Sequence, residues 1–456
     1  MSKKTVFMLV VLIVIGMAFT VSANDFPDDV EIIEIEAWTL GPDNPAIWRS
    51  KNLIEAVDRL NLMYEAASID KRVVIEEDFW TQNADDYTQR LLLGLQSDDG
   101  PDILQHGHTQ IGRLASSGYL LPLNEYKEAY SNMLGDVYDS LWETGVYKGD
   151  YYGVPQDTEA RMVYFRRDML EEFGYSDSDI EQLKADVESG EFDLYDMAEL
   201  AKEVKDAGIA NWGVYHRPPN GIDWFQWYLS FGGEMVNVET GELIYDRNAY
   251  RELFQYYHDL VHKWEITPES MTDYSWSSVF RDVIDGETLF YQGGSWNYAE
   301  MTNDYGWDPA EAEESIDFFL QPKGNDHGVV NTMSHPQMYM INADTEHPDI
   351  VFQILALASA PELNTLHAVE SAHIAIRESQ IELEAYQVDE HLAAATDLMP
   401  YSRSVPNHPD WPRYQQTVYE SIAAVQQQHL TPEEAVDYTE SQLQRHIDAD
   451  QLIIQD

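Results

Sequence analysis

The chain contains no cysteine among its 456 residues. A protein without thiols has no disulfide framework, no thiolate metal site and no cysteine nucleophile. Basic residues are also scarce, with 27 Lys plus Arg against 82 Asp plus Glu and a formal net charge of −55. A protein with this charge repels phosphate backbones and anionic lipid surfaces. Binding to nucleic acid through a basic face is therefore excluded.

The excess of acids has two possible explanations. One is a carboxylate cluster that binds metals or cationic ligands, and the other is a solvated surface adapted to high salt, where repulsion is screened. The acids are spread from Asp25 to Asp456 without a long run, which favours a halophilic surface. With 44% hydrophobic residues the chain can bury a large core, and its length predicts two or more domains.

Only the first residues contain a long apolar stretch. Lys3 and Lys4 precede it, and the small residues 21–23 follow it as a cleavage site. This pattern predicts a secretory signal peptide at 1–23 and a mature chain from Asn24. An uncleaved membrane anchor is the alternative, but the apolar core of about 14 residues is shorter than the roughly 20 that span a bilayer. We expect an exported protein, periplasmic or extracellular, that is soluble once the peptide is removed.

The order of apolar patterns at the start of the mature chain indicates an α/β fold. Strand, helix, strand, helix and strand follow in turn, which predicts an open sheet with parallel strands. Ligands of such sheets bind beyond the carboxyl ends of the strands. The five predicted elements are residues 30–38, 52–67, 71–79, 85–96 and 103–104. Further helices are predicted at 194–207, 247–263 and 347–358 and over most of 413–453, with a capping signal at Thr431.

Six motifs follow one another along the mature chain. They are DYTQRLLLGLQSDDGPDIL (86–104), SSGYLLPL (116–123), YKGDYYGVPQDTEARMVYFRRDMLEEFG (147–174), FDLYDMAELAKEVKDAG (192–208), DGETLFYQGGSW (285–296) and DFFLQPKG (317–324). In this order they resemble the extracellular solute-binding proteins of ABC importers, in the large sugar-binding group that includes the maltose-binding proteins. The resemblance extends over nearly the whole mature chain.

The resemblance implies an α/β, two-lobed periplasmic-binding-protein fold of type II, with a ligand cleft between the lobes. The lobes would comprise residues 24–152 plus 322–375, and 153–321 plus 376–456. The implied function is the substrate-binding component of an ABC transporter, which captures an extracellular sugar or oligosaccharide and delivers it to membrane permease subunits. The resemblance implies a monomer without catalytic residues, cofactor, metal or nucleic-acid partner.

A sugar presents apolar faces and a rim of hydroxyl groups, so its site needs flat aromatic rings and polar side chains. Trp38 ends the first predicted strand, at the expected cleft. Trp296 follows a Gly-Gly pair, where the backbone can approach a ligand closely. The family also places ligand-stacking aromatics at positions that correspond to Trp224 and Trp411. Packing in the core is the alternative for each of these residues.

The polar candidates lie mainly in the segment that resembles the first crossover between the lobes. Glu159 falls at the family's carboxylate contact, and Asp157 and Arg161 beside it would complete a charge-paired set that faces the cleft. Asp43 lies in a loop that supplies polar contacts in the family, and Arg377 is a further candidate. A solvated surface position is the alternative for each acid.

One loop departs from the family pattern. The maltose binders carry a tryptophan, an aspartate and an arginine where this chain has His106, Thr109 and Gln110. These side chains also bond hydroxyl groups, so the predicted ligand is still a sugar. The three differences argue against maltose itself as that sugar. His106 and His108 are two residues apart, without helical geometry or a third ligand nearby, so no metal site is predicted.

Two other classes of function are compatible with these features. A secreted carbohydrate-active enzyme needs two carboxyl groups about 5 to 10 Å apart, and a chain with 82 acids can always supply such a pair. No nucleophile-elbow, zinc-protease or P-loop motif is present, however. A binding protein for a polyol or osmolyte is the other class, because a quaternary ammonium binds in an aromatic cage and the chain has 12 Trp.

Overall fold

The computed structural model describes residues 30–41, 45–80 and 84–456. The predicted signal peptide at 1–23 and the candidate Asp43 lie outside the described residues. Within the described part of the chain, no helix combines the length and the apolar character needed to cross a membrane.

Strands and helices alternate along most of the described chain. The strands are β1 (Glu31–Leu40), β2 (Lys71–Trp80), β3 (Ile103–Gly107), β4 (Val146–Tyr147), β5 (Asp150–Tyr151), β6 (Gly153–Asp157), β7 (Arg161–Arg166), β8 (Trp212–Tyr215), β9 (Leu243–Asp246), β10 (Thr288–Gly294), β11 (Ile316–Phe319), β12 (Thr332–Ser334), β13 (Gln337–Ile341), β14 (Ser402–Ser404) and β15 (Leu452–Gln455). Every one of the five elements predicted at the start of the mature chain is present, with ends that differ by a few residues.

The helices lie mainly on the faces of the sheets. They are α1 (Trp48–Ala66), α2 (Ala84–Gln96), α3 (Ile111–Ser116), α4 (Asn124–Ala129), α5 (Ser131–Leu134), α6 (Asp139–Thr144), α7 (Arg167–Phe173), α8 (Asp177–Ser189), α9 (Leu194–Asp206), α10 (Asp223–Ser230), α11 (Arg247–His262), α12 (Trp276–Ile284), α13 (Trp296–Ala299), α14 (Pro309–Ser315), α15 (Pro348–Ala358), α16 (Pro361–Ser371), α17 (Glu378–Ile381), α18 (Glu384–Gln387), α19 (Glu390–Thr396), α20 (Trp411–Gln426) and α21 (Pro432–His446). Short 3-10 turns cover Pro45–Ile47, His108–Gln110, Met271–Asp273 and Met399–Tyr401, and a π-helical turn covers Glu300–Asp304.

The first lobe is built on a five-stranded sheet in the order β2-β1-β3-β13-β6. β1 runs parallel to both β2 and β3, as the sequence predicts, and β13 is antiparallel to its two neighbours. Helix α1 packs on this sheet because its apolar residues recur at helical spacing; Leu53, Ala56 and Leu60 are all buried.

The second lobe is built on a four-stranded sheet in the order β11-β7-β10-β8. Helices α9, α10 and α11 cover it together with the C-terminal α20 and α21, and their buried residues form one large core rich in tyrosine and tryptophan. The predicted helical C-terminal region is confirmed over α20 and α21. The chain then ends in β15, which pairs in parallel with β9.

The chain passes between the lobes at three crossovers that lie close together. The first joins β6 to β7, the second leaves β11 and returns through β12 to β13, and the third follows α16. Thr158 of the first crossover bridges Ile374 of the third, and its hydroxyl contacts the Ser334 hydroxyl of the second. Because β6 pairs with β13, the first sheet extends to Asp157, past the expected boundary at residue 152.

Candidate functional site

Glu159 and Arg161 meet where the first crossover enters the second lobe. Arg161 Nη1 donates to Glu159 Oε1 at 2.5 Å, and both residues are only 4% exposed. Arg161 Nε also lies 3.1 Å from Oδ1 of Asp223, the first residue of α10. Burial raises the pKa of Glu159 above its usual range, although Arg161 opposes that shift. The pairing of Glu159 with Arg161 that the sequence predicts is present.

Trp296 covers this pair from the start of α13. The Arg161 guanidinium carbon lies 4.9 Å from the centroid of the indole ring, and the His373 ring stacks on the indole at 6.1 Å. A Cβ on Gly294 would overlap the indole. The glycine therefore lets Trp296 fold back over its own strand, which is a close approach within the protein rather than to a ligand.

Arg217 is a second arginine at the same carboxylate, and the sequence reasoning missed it. Its Nη1 donates to Asp223 Oδ2 at 3.2 Å, and its Nε lies 3.2 Å from the carbonyl oxygens of both Pro219 and Asn220. Its guanidinium carbon lies 5.2 Å from the Trp276 ring centroid. Burial would raise the pKa of Asp223, but Arg161 and Arg217 outweigh it and lower that pKa. We call Glu159, Arg161, Arg217, Asp223 and Trp296 the crossover site.

The loop that departs from the family pattern supplies a group of buried imidazoles from the first lobe. His106 Nε2 bonds the Thr88 hydroxyl at 2.8 Å, and Thr109 Oγ1 lies 3.2 Å from His335 Nε2. The His108 ring lies 5.1 Å from that of His335. Burial lowers the pKa of His106 and that of His108 to about 4. These imidazoles are therefore neutral near pH 7 and can bond hydroxyl groups as donors or acceptors.

The amide oxygen of Gln110, at the end of the same turn, is buried without a hydrogen-bond partner in the described structure. An unpaired buried acceptor is costly, so this oxygen favours a donor supplied by a ligand or by water.

Asp157 pairs with Arg49 of α1 instead of joining the Glu159–Arg161 pair. Its Oδ2 accepts from Arg49 Nε at 2.9 Å and from His367 Nε2 at 2.7 Å. Burial would raise the pKa of Asp157, but Arg49 and the two nearby imidazoles hold it far below the usual range.

Asp157, His367 and His373 have the residue types and spacing of a metal site, with one ligand atom from each within 4.8 Å of the others. Arg49 Nη2, however, lies 2.8 Å from the shared Asp157 oxygen and 3.3 Å from His373 Nε2. The guanidinium thus takes the place that a metal cation would need, and no metal is assigned to this group.

A family model described as bacterial extracellular solute-binding protein matches residues 69–364, which is more than half of the chain. The chain belongs to this family. The family consists of extracellular binding proteins, so this solute-binding protein is exported and its family role is binding.

Solved structures share the fold of this solute-binding protein over most of its length. The maltose-bound MalE3 of T. maritima has a TM-score of 0.72 at 17% identity, over 91% of this chain and 99% of that one. The GacH receptor of Streptomyces glaucescens gives 0.74 at 14% identity, over 92% and 99%. The sugar-binding protein MalE from Xanthomonas citri gives 0.66 at 20% identity, over 90% and 96%. The predicted two-lobed α/β fold of type II is confirmed.

The other predicted ligand residues of the solute-binding protein are packed inside its lobes. Trp224 and Trp411 are fully buried in the core of the second lobe, against Tyr257 and Tyr414 respectively. In this conformation neither indole has a free face. This is the result expected if the two tryptophans pack in the core instead of contacting a ligand. Their contact with a ligand stays a prediction.

Trp38 and Arg377 are also paired within the protein. The Arg90 guanidinium carbon lies 3.9 Å from the centroid of the Trp38 ring, and only 6% of Trp38 is exposed. Arg377 donates from Nη1 to the Met133 carbonyl oxygen at 3.1 Å and lies 3.4 Å from Asp136. These contacts stabilise the first lobe and its third crossover. A role of Trp38 or Arg377 in ligand binding stays a prediction.

Proposed function

We propose that this protein is the substrate-binding component of an ABC importer and that its ligand is a sugar. The crossover site carries the proposal. It combines an indole, two guanidinium groups and two carboxylates. The buried imidazoles of His108 and His335 lie near enough for Arg161 to lower the pKa of each. Aromatic faces together with many donors and acceptors match the apolar faces and hydroxyl rim of a sugar.

Several proteins with this fold hold sugars, which supports the proposal. MalE3 of T. maritima contains maltose, a solute-binding protein from Thermotoga lettingae contains α-D-tagatose, and MalE from Bdellovibrio bacteriovorus contains maltotriose. The replacement of three family residues by His106, Thr109 and Gln110 argues for a sugar other than maltose.

An osmolyte with a quaternary ammonium group fits the site less well. Such a cation needs an aromatic face without a competing positive charge, but the Arg161 guanidinium already lies over the Trp296 ring and would repel it. A glycosidase is also disfavoured, since Asp223 is held by two arginines and Glu159 by one. We therefore infer a binding protein without catalytic activity. We further infer that it is exported through a signal peptide at residues 1–23, which is then cleaved. The mature protein acts as a monomer and delivers its ligand to permease subunits.

A thermal-shift screen of the mature chain, residues 24–456, tests the proposal. The chain is held in molar salt with monosaccharides, disaccharides, polyols and betaine-like osmolytes in turn. A ligand of the native state raises the melting temperature, so at least one sugar should raise it while osmolytes leave it unchanged. A shift with osmolytes alone, or hydrolysis of the oligosaccharides during incubation, would contradict the proposal.

A further inference from the structure

The crossover site brings two arginines together in a strongly acidic protein. The chain has 16 Arg and 11 Lys against 82 acids, yet two of the arginines, Arg161 and Arg217, meet at the single carboxylate of Asp223. Each guanidinium also lies over an indole, Trp296 for Arg161 and Trp276 for Arg217. The two groups are therefore held in fixed orientations by an acid on one side and an aromatic ring on the other.

Both guanidinium groups keep unused donors. Arg161 donates from Nη1 to Glu159 and to the Met333 carbonyl oxygen, and its Nε faces Asp223. Arg217 uses Nε and Nη1 within its own loop and on Asp223. Neither Nη2 donates a hydrogen bond to any residue in the described part of the chain. Arg161 Nε is buried without a hydrogen-bond partner in the described structure although it faces Asp223, and Arg161 is only 4% exposed. A charged donor there favours an acceptor supplied by a ligand.

A buried imidazole lies near the two arginines. His335, whose imidazole faces Thr109, lies close enough for its pKa to respond to both Arg161 and Arg217. Burial lowers that pKa well below its usual range, and the neighbouring imidazole of His108 and the two arginines lower it further. His335 and His108 are therefore neutral near pH 7 and add no charge of either sign beside the arginines.

We propose that the ligand is an acidic sugar, of the uronic acid type, and that Arg161 and Arg217 bind its carboxylate through their Nη2 atoms. This inference rests on the proposed function and specifies its substrate class. A carboxylate offers two acceptor oxygens to a guanidinium fork and bonds it about twice as strongly as a hydroxyl group does. The protein's negative charge opposes the approach of an anion, but salt screens that long-range repulsion far more than it screens contacts in a buried site.

The test compares acidic sugars with their neutral counterparts by titration calorimetry on the mature chain in molar salt. The pairs are glucuronate with glucose, galacturonate with galactose, and digalacturonate with galactobiose. The acidic member of at least one pair should bind about tenfold or more tightly than its neutral counterpart, since each tenfold step is about 1.4 kcal/mol. Arg217→Gln should abolish this preference, and Arg217→Lys should restore only part of it because lysine lacks the fork.

Arg251→Gln is the matched control, because Arg251 forms an exposed ion pair with Glu433 on the second lobe; it should leave the preference intact. Melting curves of all variants identify any loss of folding. If Arg217→Gln does not fold, the inference is tested by the wild-type preference for acidic sugars and by its reduction in Arg217→Lys. Binding of neutral sugars with equal or weaker binding of acidic ones overturns the inference but keeps the proposed function. Failure of every sugar to bind rejects both.

Discussion

At the scale of single residues, the crossover site is defined by contacts between distant parts of the chain. Glu159 and Arg161 are two positions apart, so the sequence could predict their pairing, and the structure has it at 2.5 Å. Arg217 joins them through Asp223, and Arg49 reaches Asp157 from more than a hundred residues away. Such pairs depend on how the strands and crossovers pack, which local sequence patterns do not encode.

Trp296→Ala should weaken ligand binding by about tenfold or more, because the variant loses the aromatic surface available to a sugar. Trp296 lies outside the main buried clusters of the described structure but is only 9% exposed, so a melting curve verifies that the variant remains folded. Titration calorimetry with the sugar found in the screen measures the affinity.

Trp212→Ala is the matched control for this variant. Trp212 lies at the start of β8, half-buried under Lys205, at the opposite end of that strand from Arg217. Its removal should leave affinity unchanged. Equal affinities for wild-type protein and Trp296→Ala would remove the indole from the site.

At the scale of elements, local sequence patterns predict a helix or strand correctly where the residues of that element alone determine where it begins and ends. The parallel pairing of β1 with β2 and β3 follows from alternating strands and amphipathic helices. The predicted capping signal at Thr431 is confirmed, and the structure shows it as a capping box at the start of α21. The same patterns miss β12 and β14, three-residue strands that pair across the second crossover. They also do not show that Trp224 and Trp411 face the core, because a buried tryptophan and a ligand-stacking one have the same local pattern.

Thr431→Ala should lower the free energy of unfolding by about 1 kcal/mol, the usual cost of removing a helix cap. The Thr431 hydroxyl accepts from the Glu434 backbone N–H, and the Glu434 carboxylate accepts from the Thr431 backbone N–H. Urea unfolding measures the change, and Thr431→Ser should retain most of the stability. Equal loss in both variants would mean that the Thr431 methyl group, not the cap, provides the stabilisation.

At the scale of the whole molecule, the net charge of −55 sets the conditions under which the protein is stable. Few of the 82 acids are needed by the crossover site, which uses Glu159 and Asp223. Most of the remainder repel one another across the surface, and only added salt screens that repulsion.

The melting temperature should therefore rise strongly between low and molar salt. Differential scanning calorimetry over a series of sodium chloride concentrations measures the effect. A melting temperature that is insensitive to salt would contradict the interpretation of the acids as a halophilic surface.

The buried histidines predict loss of stability in mild acid. Burial lowers the pKa of His106, of His108 and of His216 to about 4, whereas in the unfolded chain each titrates near 6.5. The unfolded state thus binds more protons below about pH 6.5, and stability falls as the pH drops from there towards about 4. Melting temperatures measured in molar salt, where surface repulsion is screened, should fall as the pH is lowered over this range. A melting temperature that stays constant or rises as the pH is lowered would show that these imidazoles are not held in the neutral form by burial.

We propose that this solute-binding protein captures its ligand between two lobes that close on it. Small-angle X-ray scattering tests this closure most directly. Profiles of the mature chain are measured without ligand and with a saturating sugar, after calorimetry in the same buffer has verified that the sugar binds. Lobe closure around the ligand predicts a smaller radius of gyration in the bound state. Identical scattering profiles with and without the bound sugar would contradict capture by closure of the lobes.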